Sequence, residues 1–62
     1  MTIKKAIRYP IAKGVIVRAT GETMSILTIE YSDPQKVGRI TNAMFLLDDW
    51  KWYNYKNLAE MR

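Results

Sequence analysis

The alternation of apolar and polar positions along the chain favours short strands over helices. The stretch VIVRAT, residues 15–20, is rich in β-branched side chains, which adopt the extended backbone at little cost, and it predicts a strand. An earlier alternating stretch, residues 3–9, predicts a half-buried strand that ends at Pro10. The apolar side of that strand is expected to carry Ile3, Ile7 and Tyr9.

A hairpin is predicted after residue 20, where TGET places glycine first in a two-residue loop and a type II′ turn needs positive φ at that position. This register sets Val15 opposite Thr28 and Val17 opposite Ile26. One face then gathers Val15, Val17, Ala19, Met24 and Ile26, and the other Ile16, Leu27, Ile29 and Tyr31. Because both faces are apolar, either the rest of the chain or a second copy in a two-fold homodimer must cover the second face.

Residues 33–62 admit two interpretations. In the helical one, Asp33 caps a helix whose first residue is Pro34 and whose apolar stripe continues to Leu47, which gives an α+β fold, a three-stranded antiparallel sheet with a C-terminal helix. In the extended one, residues 33–38 form a turn, residues 39–47 a strand, and Asp48-Asp49 a turn into a strand at residues 50–56. We favour the extended interpretation because its cross-strand pairs are coherent: Leu47 with Trp50, Phe45 with Trp52, Ala43 with Asn54, Met44 with Tyr53 and Asn42 with Tyr55.

The predicted fold class is therefore mainly β. Five short antiparallel strands in one small domain, residues 1–62, form a meander or barrel, followed by a short C-terminal helical turn over residues 57–62. The arrangement resembles SH3-like and OB-type architectures. The resemblance is one of architecture alone, so it carries over no functional residue.

Composition narrows the function classes. The chain has no cysteine, which favours a cytoplasmic protein, and no histidine, so we expect no metal and no cofactor. Its longest apolar run, residues 43–47, is far shorter than the ~20 residues that span a bilayer, so no membrane role is expected.

Charge is distributed unevenly. Residues 1–20 contain five cations and no acid, although the whole chain carries a net charge of only +4. A basic region favours an anionic partner such as nucleic acid, whereas dispersed cations equally well keep a small protein in solution. The candidate basic patch consists of Lys4, Lys5, Arg8, Lys13 and Arg18.

Catalytic chemistry finds little support. Ser25 and Ser32 have no evident base, since the chain lacks histidine. Asp48 and Asp49 are adjacent, but neighbouring side chains on a turn diverge and do not share a proton as an acid-base pair would. We therefore expect a protein that is not an enzyme.

Four of the aromatic residues fall in DDWKWYNYK, residues 48–56. The extended interpretation predicts that the two tryptophans join the core, while the two tyrosines form an aromatic and basic surface with nearby lysines. The candidate partner-binding residues are Trp50, Trp52, Tyr53, Tyr55, Lys51 and Lys56.

Two functions follow from these features. The first is a non-catalytic protein-binding module that acts as inhibitor or adaptor of a larger partner. Small cysteine-free proteins of this kind are frequent among phage and mobile-element products that modulate a host. The alternative is a basic nucleic-acid-binding domain that uses its cations on phosphates and its tyrosines on bases.

Overall fold

The computed structural model describes residues 1–32 and 40–61, and this part of the chain is mainly β. Its elements are helix α1 (Ile3–Ala6), a 3-10 turn (Ile11–Lys13), strands β1 (Val15–Val17), β2 (Thr23–Met24), β3 (Ile26–Tyr31), β4 (Ala43–Leu47) and β5 (Trp52–Asn54), a second 3-10 turn (Tyr55–Asn57) and strand β6 (Leu58–Glu60). They form two antiparallel three-stranded sheets, ordered β2-β1-β6 and β3-β4-β5. The mainly β prediction is confirmed, but the described strands form two sheets that are not closed into a barrel.

Residues 3–9 do not form the predicted strand. Thr2 caps α1 by accepting a hydrogen bond from the backbone N–H of Lys5, and Ala6, one turn after the half-buried Ile3, is completely buried. The apolar positions therefore follow a helical spacing, which a short stretch cannot distinguish from alternation. Within the described ranges, no helix is long and apolar enough to cross a membrane.

The first hairpin has a different loop from the predicted one. Val17 N–H donates to the Glu22 carbonyl at 2.8 Å and closes a four-residue loop, residues 18–21, in which Gly21 N–H donates to the Val17 carbonyl at 2.7 Å. Positive φ at Gly21 is confirmed at 76°, but glycine is the last loop residue and not the first. Val15 consequently pairs with Met24 and not with Thr28, and Ala19 lies exposed in the loop.

One residue separates β2 from β3, so the chain passes directly from one sheet to the other. At this junction the Ser25 carbonyl accepts a hydrogen bond from the backbone N–H of Asp48. A bulge between Ile26 and Thr28 then shifts the register of β3 against β4. The second apolar face is only partly covered: Ile16 and Ile29 are half-buried, whereas Leu27 and Tyr31 remain exposed.

The extended interpretation of the C-terminal half is confirmed in part: β4 and β5 are shorter than the strands predicted at residues 39–47 and 50–56, and residues 40–42, 50–51 and 55–56 lie outside them. Residues 43–47 form β4, so the helix predicted by the alternative fold is wrong there, while the turn predicted at residues 33–38 lies outside the described residues. The helical turn predicted at residues 57–62 is also wrong. The 3-10 turn comes earlier, and the segment after it becomes β6 because it pairs with β1, Ile16 opposite Ala59.

The core lies between the two sheets and α1. Its largest fully buried side chains are Phe45, Leu47, Leu58 and Val15. Tyr9 packs against Phe45 edge to face, with 6.2 Å between ring centroids. The Tyr9 hydroxyl donates to the Gly14 carbonyl at 2.5 Å and accepts from Met61 N–H at 3.0 Å. This side chain therefore links the segment before β1 to the segment after β6.

Candidate protein-binding surface

The β4–β5 hairpin turns through a three-residue loop, residues 48–50. Trp50 N–H donates to the Leu47 carbonyl at 2.9 Å, and Leu47 N–H donates to the Lys51 carbonyl at 3.2 Å. Trp50 has a φ of 62°. A three-residue hairpin loop requires a residue in the left-handed region at this position, where glycine or asparagine is usual. The turn predicted at Asp48-Asp49 is confirmed, but it is one residue longer than expected.

This extra loop residue shifts the predicted register by one position. Phe45 pairs with Tyr53 and Leu46 with Trp52, whereas the sequence predicted Phe45 opposite Trp52. Because successive side chains alternate between faces, a slip of one residue exchanges inside for outside. The prediction that Trp50 and Trp52 belong to the core is therefore wrong.

The tryptophans form an exposed apolar surface. We define the tryptophan face as Met44, Leu46 and Trp52 on the outer side of the β4–β5 hairpin, with Trp50 at its tip. Trp50 is 77% exposed and Trp52 44%, while Met44 and Leu46 are half-buried. The bulge residue Leu27, 42% exposed, neighbours the Thr28–Leu46 pair. A surface of this kind offers large side chains to a partner at little cost in conformational entropy.

The inner side of the same hairpin is held by Tyr53. Its ring packs against the core, and its hydroxyl donates to the Asp49 carboxylate at 2.6 Å. Asp49 also accepts from Lys51 N–H at 3.0 Å, so one carboxylate fixes both the loop and the strand after it. The Tyr53 hydrogen bond holds the pKa of Asp49 below its ordinary value, and the same bond raises the pKa of Tyr53.

The remaining predicted aromatic and lysine residues are separated from the tryptophans. Tyr55 is half-buried against the core, with Lys56 Nζ 5.9 Å from its ring centroid. Lys51 is exposed in the hairpin beside Trp50. The expected surface of Tyr53 and Tyr55 pointing outward together is thus not formed, because both rings pack against the core.

A cleft of about 470 Å³ lies on the inner side of β5, and the sequence did not indicate it. Arg18 Nη1 donates to the Lys56 carbonyl at 3.3 Å, and Arg18 N–H donates to the Asn57 carbonyl at 3.0 Å, which fixes the β1–β2 loop against the second 3-10 turn. The residues that line the cleft are Val17, Arg18, Ala19, Tyr53, Lys56 and Asn57. They come from three separate segments, so only the observed loop lengths bring them together.

The predicted basic patch is divided among several places. Lys4, Lys5 and Arg8 line one shallow cleft of about 540 Å³ together with Ile7. Lys5 also forms an ion pair with Glu60 at 3.0 Å, and this hydrogen bond lowers the pKa of Glu60. The other two predicted members lie apart: Lys13 Nζ is 5.6 Å from the centroid of the Tyr9 ring, and Arg18 belongs to the β1–β2 loop.

In residues 1–32 and 40–61, no three His, Cys, Asp or Glu side chains come together as a metal site requires. Comparisons with known protein families, curated proteins and solved structures find no match to this chain. Any functional proposal therefore depends on the tryptophan face and the clefts themselves.

Proposed function

We propose that this chain is a non-catalytic protein-binding module that acts as inhibitor or adaptor of a larger partner through the tryptophan face. The observation that carries the proposal is Trp50, which is 77% exposed and held at a φ of 62°. A side chain other than glycine in the left-handed region costs about 1 kcal/mol or more. The hairpin thus sustains strain at a residue whose large apolar side chain it exposes.

The use of aromatic residues supports the same proposal. A domain of 62 residues has a small core, so each large apolar side chain kept outside it is a loss of stability. Both tryptophans are nevertheless exposed. Tryptophan is among the residues most enriched in the energetic centres of protein interfaces, where it fills a pocket of the partner.

The charges near the hairpin tip favour a protein over a nucleic acid. Two carboxylates, Asp48 and Asp49, and one cation, Lys51, flank Trp50 in sequence. Opposite charges so near each other provide no net attraction for phosphates. They are typical of the polar rim that surrounds an apolar interface centre.

We further infer an SH3-like meander as the finer description of the fold. Only Ser25 separates β2 from β3, so the two sheets can be described by one continuous strand order, β6-β1-β2/β3-β4-β5. This order supports a five-stranded curled sheet in which the second strand bends between the two layers. It carries no functional residue of that architecture to this chain.

A capture experiment followed by a binary measurement tests the proposed function. The tagged chain is incubated with bacterial lysate at low and moderate salt, and each protein retained is purified and titrated against the wild type. We expect Trp50→Ala and Trp52→Ala to weaken binding by about thirtyfold, the equivalent of ~2 kcal/mol. Ile11→Ala is the matched control, because Ile11 is also exposed but lies in the first 3-10 turn.

If no purified protein binds the wild type, or if the partner binds Trp50→Ala and Trp52→Ala as tightly as Ile11→Ala, the tryptophan face is not a protein-binding surface.

Nucleic-acid binding is a second candidate because Lys4, Lys5 and Arg8 share one cleft. Three neighbouring cations can contact successive phosphates. If this function is real, the logarithm of affinity for single-stranded DNA or RNA falls linearly with the logarithm of salt, with a slope of about −0.7 per phosphate contact. Absence of binding at low salt would exclude it.

A further inference from the structure

The hydrogen-bond alternation of the second sheet shows which backbone groups of β5 are unpaired. Ser32 N–H donates to the Asn42 carbonyl at 3.0 Å, so the even-numbered residues of β4 direct their backbone groups toward β3. Leu47 N–H donates to Lys51 on the opposite side, so the odd-numbered residues face β5. Tyr53, opposite Phe45, therefore bonds to β4, whereas the N–H and C=O of Trp52 and the N–H of Asn54 point away from the ladder. The Asn54 carbonyl is the N-cap acceptor of the second 3-10 turn and is not free.

Two other edge strands of the described chain, β6 and β3, have neighbours. At the outer edge of β6, the Leu58 carbonyl accepts a hydrogen bond from the amino group of Met1 at 2.6 Å. The first 3-10 turn packs beside β3. In the described ranges, by contrast, no strand pairs with the outer edge of β5. An exposed edge with unpaired groups is a template for a further strand.

The two sides of this edge differ in chemistry. On the outer side, Trp52 continues the tryptophan face to the last strand. On the inner side, the cleft beside Tyr53 carries the cations Arg18 and Lys56. Two carboxylates lie near the Tyr53 end of the cleft without lining it: Asp49, which accepts the Tyr53 hydroxyl at 2.6 Å, and Glu22, and both help to raise the pKa of Tyr53.

We propose that the outer edge of β5 receives an extended segment of the partner protein as an additional strand. Side chains of an added strand alternate between its two faces, so a large apolar residue lies against Trp52 and an adjacent acidic residue points into the cleft toward Arg18 and Lys56. Main-chain hydrogen bonds to the N–H and C=O of Trp52 and to the N–H of Asn54 supply affinity, and these two side-chain positions supply specificity. The inference rests on the proposed function, since it specifies how the same surface holds its partner.

Asn54 provides a test that separates the backbone from the side chain. Its φ of −70° and ψ of 145° are those that proline adopts, and its N–H points away from β4. Asn54→Pro therefore removes one outward N–H without breaking the ladder. Asn54→Ala is the matched control, because both variants lose the side-chain hydrogen bonds to Asn42 and Lys56.

The probe is a displayed library of random twelve-residue peptides selected on the wild-type chain. We expect enriched peptides to contain a large apolar residue next to an acidic one. Their affinity for Asn54→Ala should stay within about twofold of the wild type, and their affinity for Asn54→Pro should fall about tenfold, the effect of one lost hydrogen bond. No enriched peptide, or equal affinity for the two variants, overturns the edge proposal.

Amide hydrogen exchange by NMR gives an independent measurement. In the free chain we expect Tyr53 N–H to be protected and the amides of Trp52 and Asn54 to exchange rapidly; bound peptide should slow those two at least tenfold. Unchanged exchange at Trp52 and Asn54 overturns the proposal. So does protection that increases with concentration of the chain alone, because a second copy then occupies the edge.

The proposal and the proposed function can fail separately. If Trp52→Ala abolishes peptide binding while Asn54→Pro and Asn54→Ala bind equally, the tryptophan face binds protein without strand addition. If Asn54→Pro weakens binding but neither Trp50→Ala nor Trp52→Ala does, the edge binds peptide and the role assigned to the tryptophans is wrong.

Discussion

The β1–β2 and β4–β5 hairpins both turn through a loop whose last residue has positive φ, but one has glycine there and the other tryptophan. Gly21 has a φ of 76° and Trp50 a φ of 62°. At Gly21 this conformation is free of strain, whereas at Trp50 it opposes folding by about 1 kcal/mol. The first loop therefore turns without strain, whereas the second sustains strain at an exposed tryptophan, as the proposed function requires.

The two hairpins also differ in how their surroundings constrain them. A Cβ added at Gly21 would meet nothing within 4 Å, so only the backbone conformation restricts that position. The second loop is fixed by Asp49, which accepts from Tyr53 Oη and from Lys51 N–H. Such bonds over-determine the loop and allow it to retain a strained residue.

The largest expected effect on stability compares the buried inner face of the β4–β5 hairpin with its exposed outer face. Phe45→Ala removes a completely buried ring and should cost ~3–5 kcal/mol, enough to unfold much of a small domain with a stability near ~5 kcal/mol. Trp52→Ala on the outer face, where the ring is 44% exposed, should cost less, ~1–2 kcal/mol. Urea denaturation followed by circular dichroism measures both, and similar losses would contradict the assignment of the faces.

A smaller effect tests the glycine loop. Gly21→Val places a β-branched residue at positive φ and should destabilise the chain by ~2 kcal/mol through backbone strain alone. Ala19→Val, at an exposed position of the same loop whose φ is not positive, should change stability by less than ~0.5 kcal/mol. If thermal unfolding shows the same loss of stability for both variants, the conformation assigned to Gly21 is wrong.

The Asp49–Tyr53 hydrogen bond in the β4–β5 hairpin predicts that folding stability depends on pH. The folded-state pKa of Asp49 is lowered, so the stability it contributes is present above its unfolded pKa of about 3.9 and is lost as pH falls through the folded value. The folded-state pKa of Tyr53 is raised, so its contribution is present below about pH 10 and is lost as pH rises through the folded value.

The stability difference between wild type and Tyr53→Phe should therefore be constant between about pH 5 and 9 and should shrink on either side. Chemical denaturation across this range measures it. Glu60→Gln is the control, since it removes a different carboxylate whose pKa is also lowered, by its hydrogen bond with Lys5. A difference between wild type and Tyr53→Phe that does not change with pH would show that the hydroxyl does not bond to Asp49.

Local patterns predicted much of the fold. The strand beginning at Val15, positive φ at Gly21 and the extended conformation of residues 43–47 all follow from propensity and turn chemistry, and the structure confirms them. The strand predicted at residues 3–9 was wrong because a four-residue helix and an alternating strand share too few positions to be separated. The cap at Thr2 was the available signal.

The candidate site could not be predicted from the same patterns because it depends on one loop length. No turn rule assigns tryptophan to the left-handed region, so a two-residue loop at Asp48-Asp49 was the natural expectation. The observed third loop residue, Trp50, exchanges the positions of Trp52 and Tyr53. Local rules fail where a residue is retained at a cost in stability, and such places are expected to be functional.

The central claim is that Trp50 is kept at positive φ for binding and not for folding, and Trp50→Gly tests it most directly. Glycine relieves the strain without changing the loop, so the variant should be about 0.5–1 kcal/mol more stable than wild type in urea denaturation. The same variant should bind the captured partner about thirtyfold more weakly, the equivalent of ~2 kcal/mol. A variant that is less stable than wild type, or that binds the partner with unchanged affinity, would contradict the account.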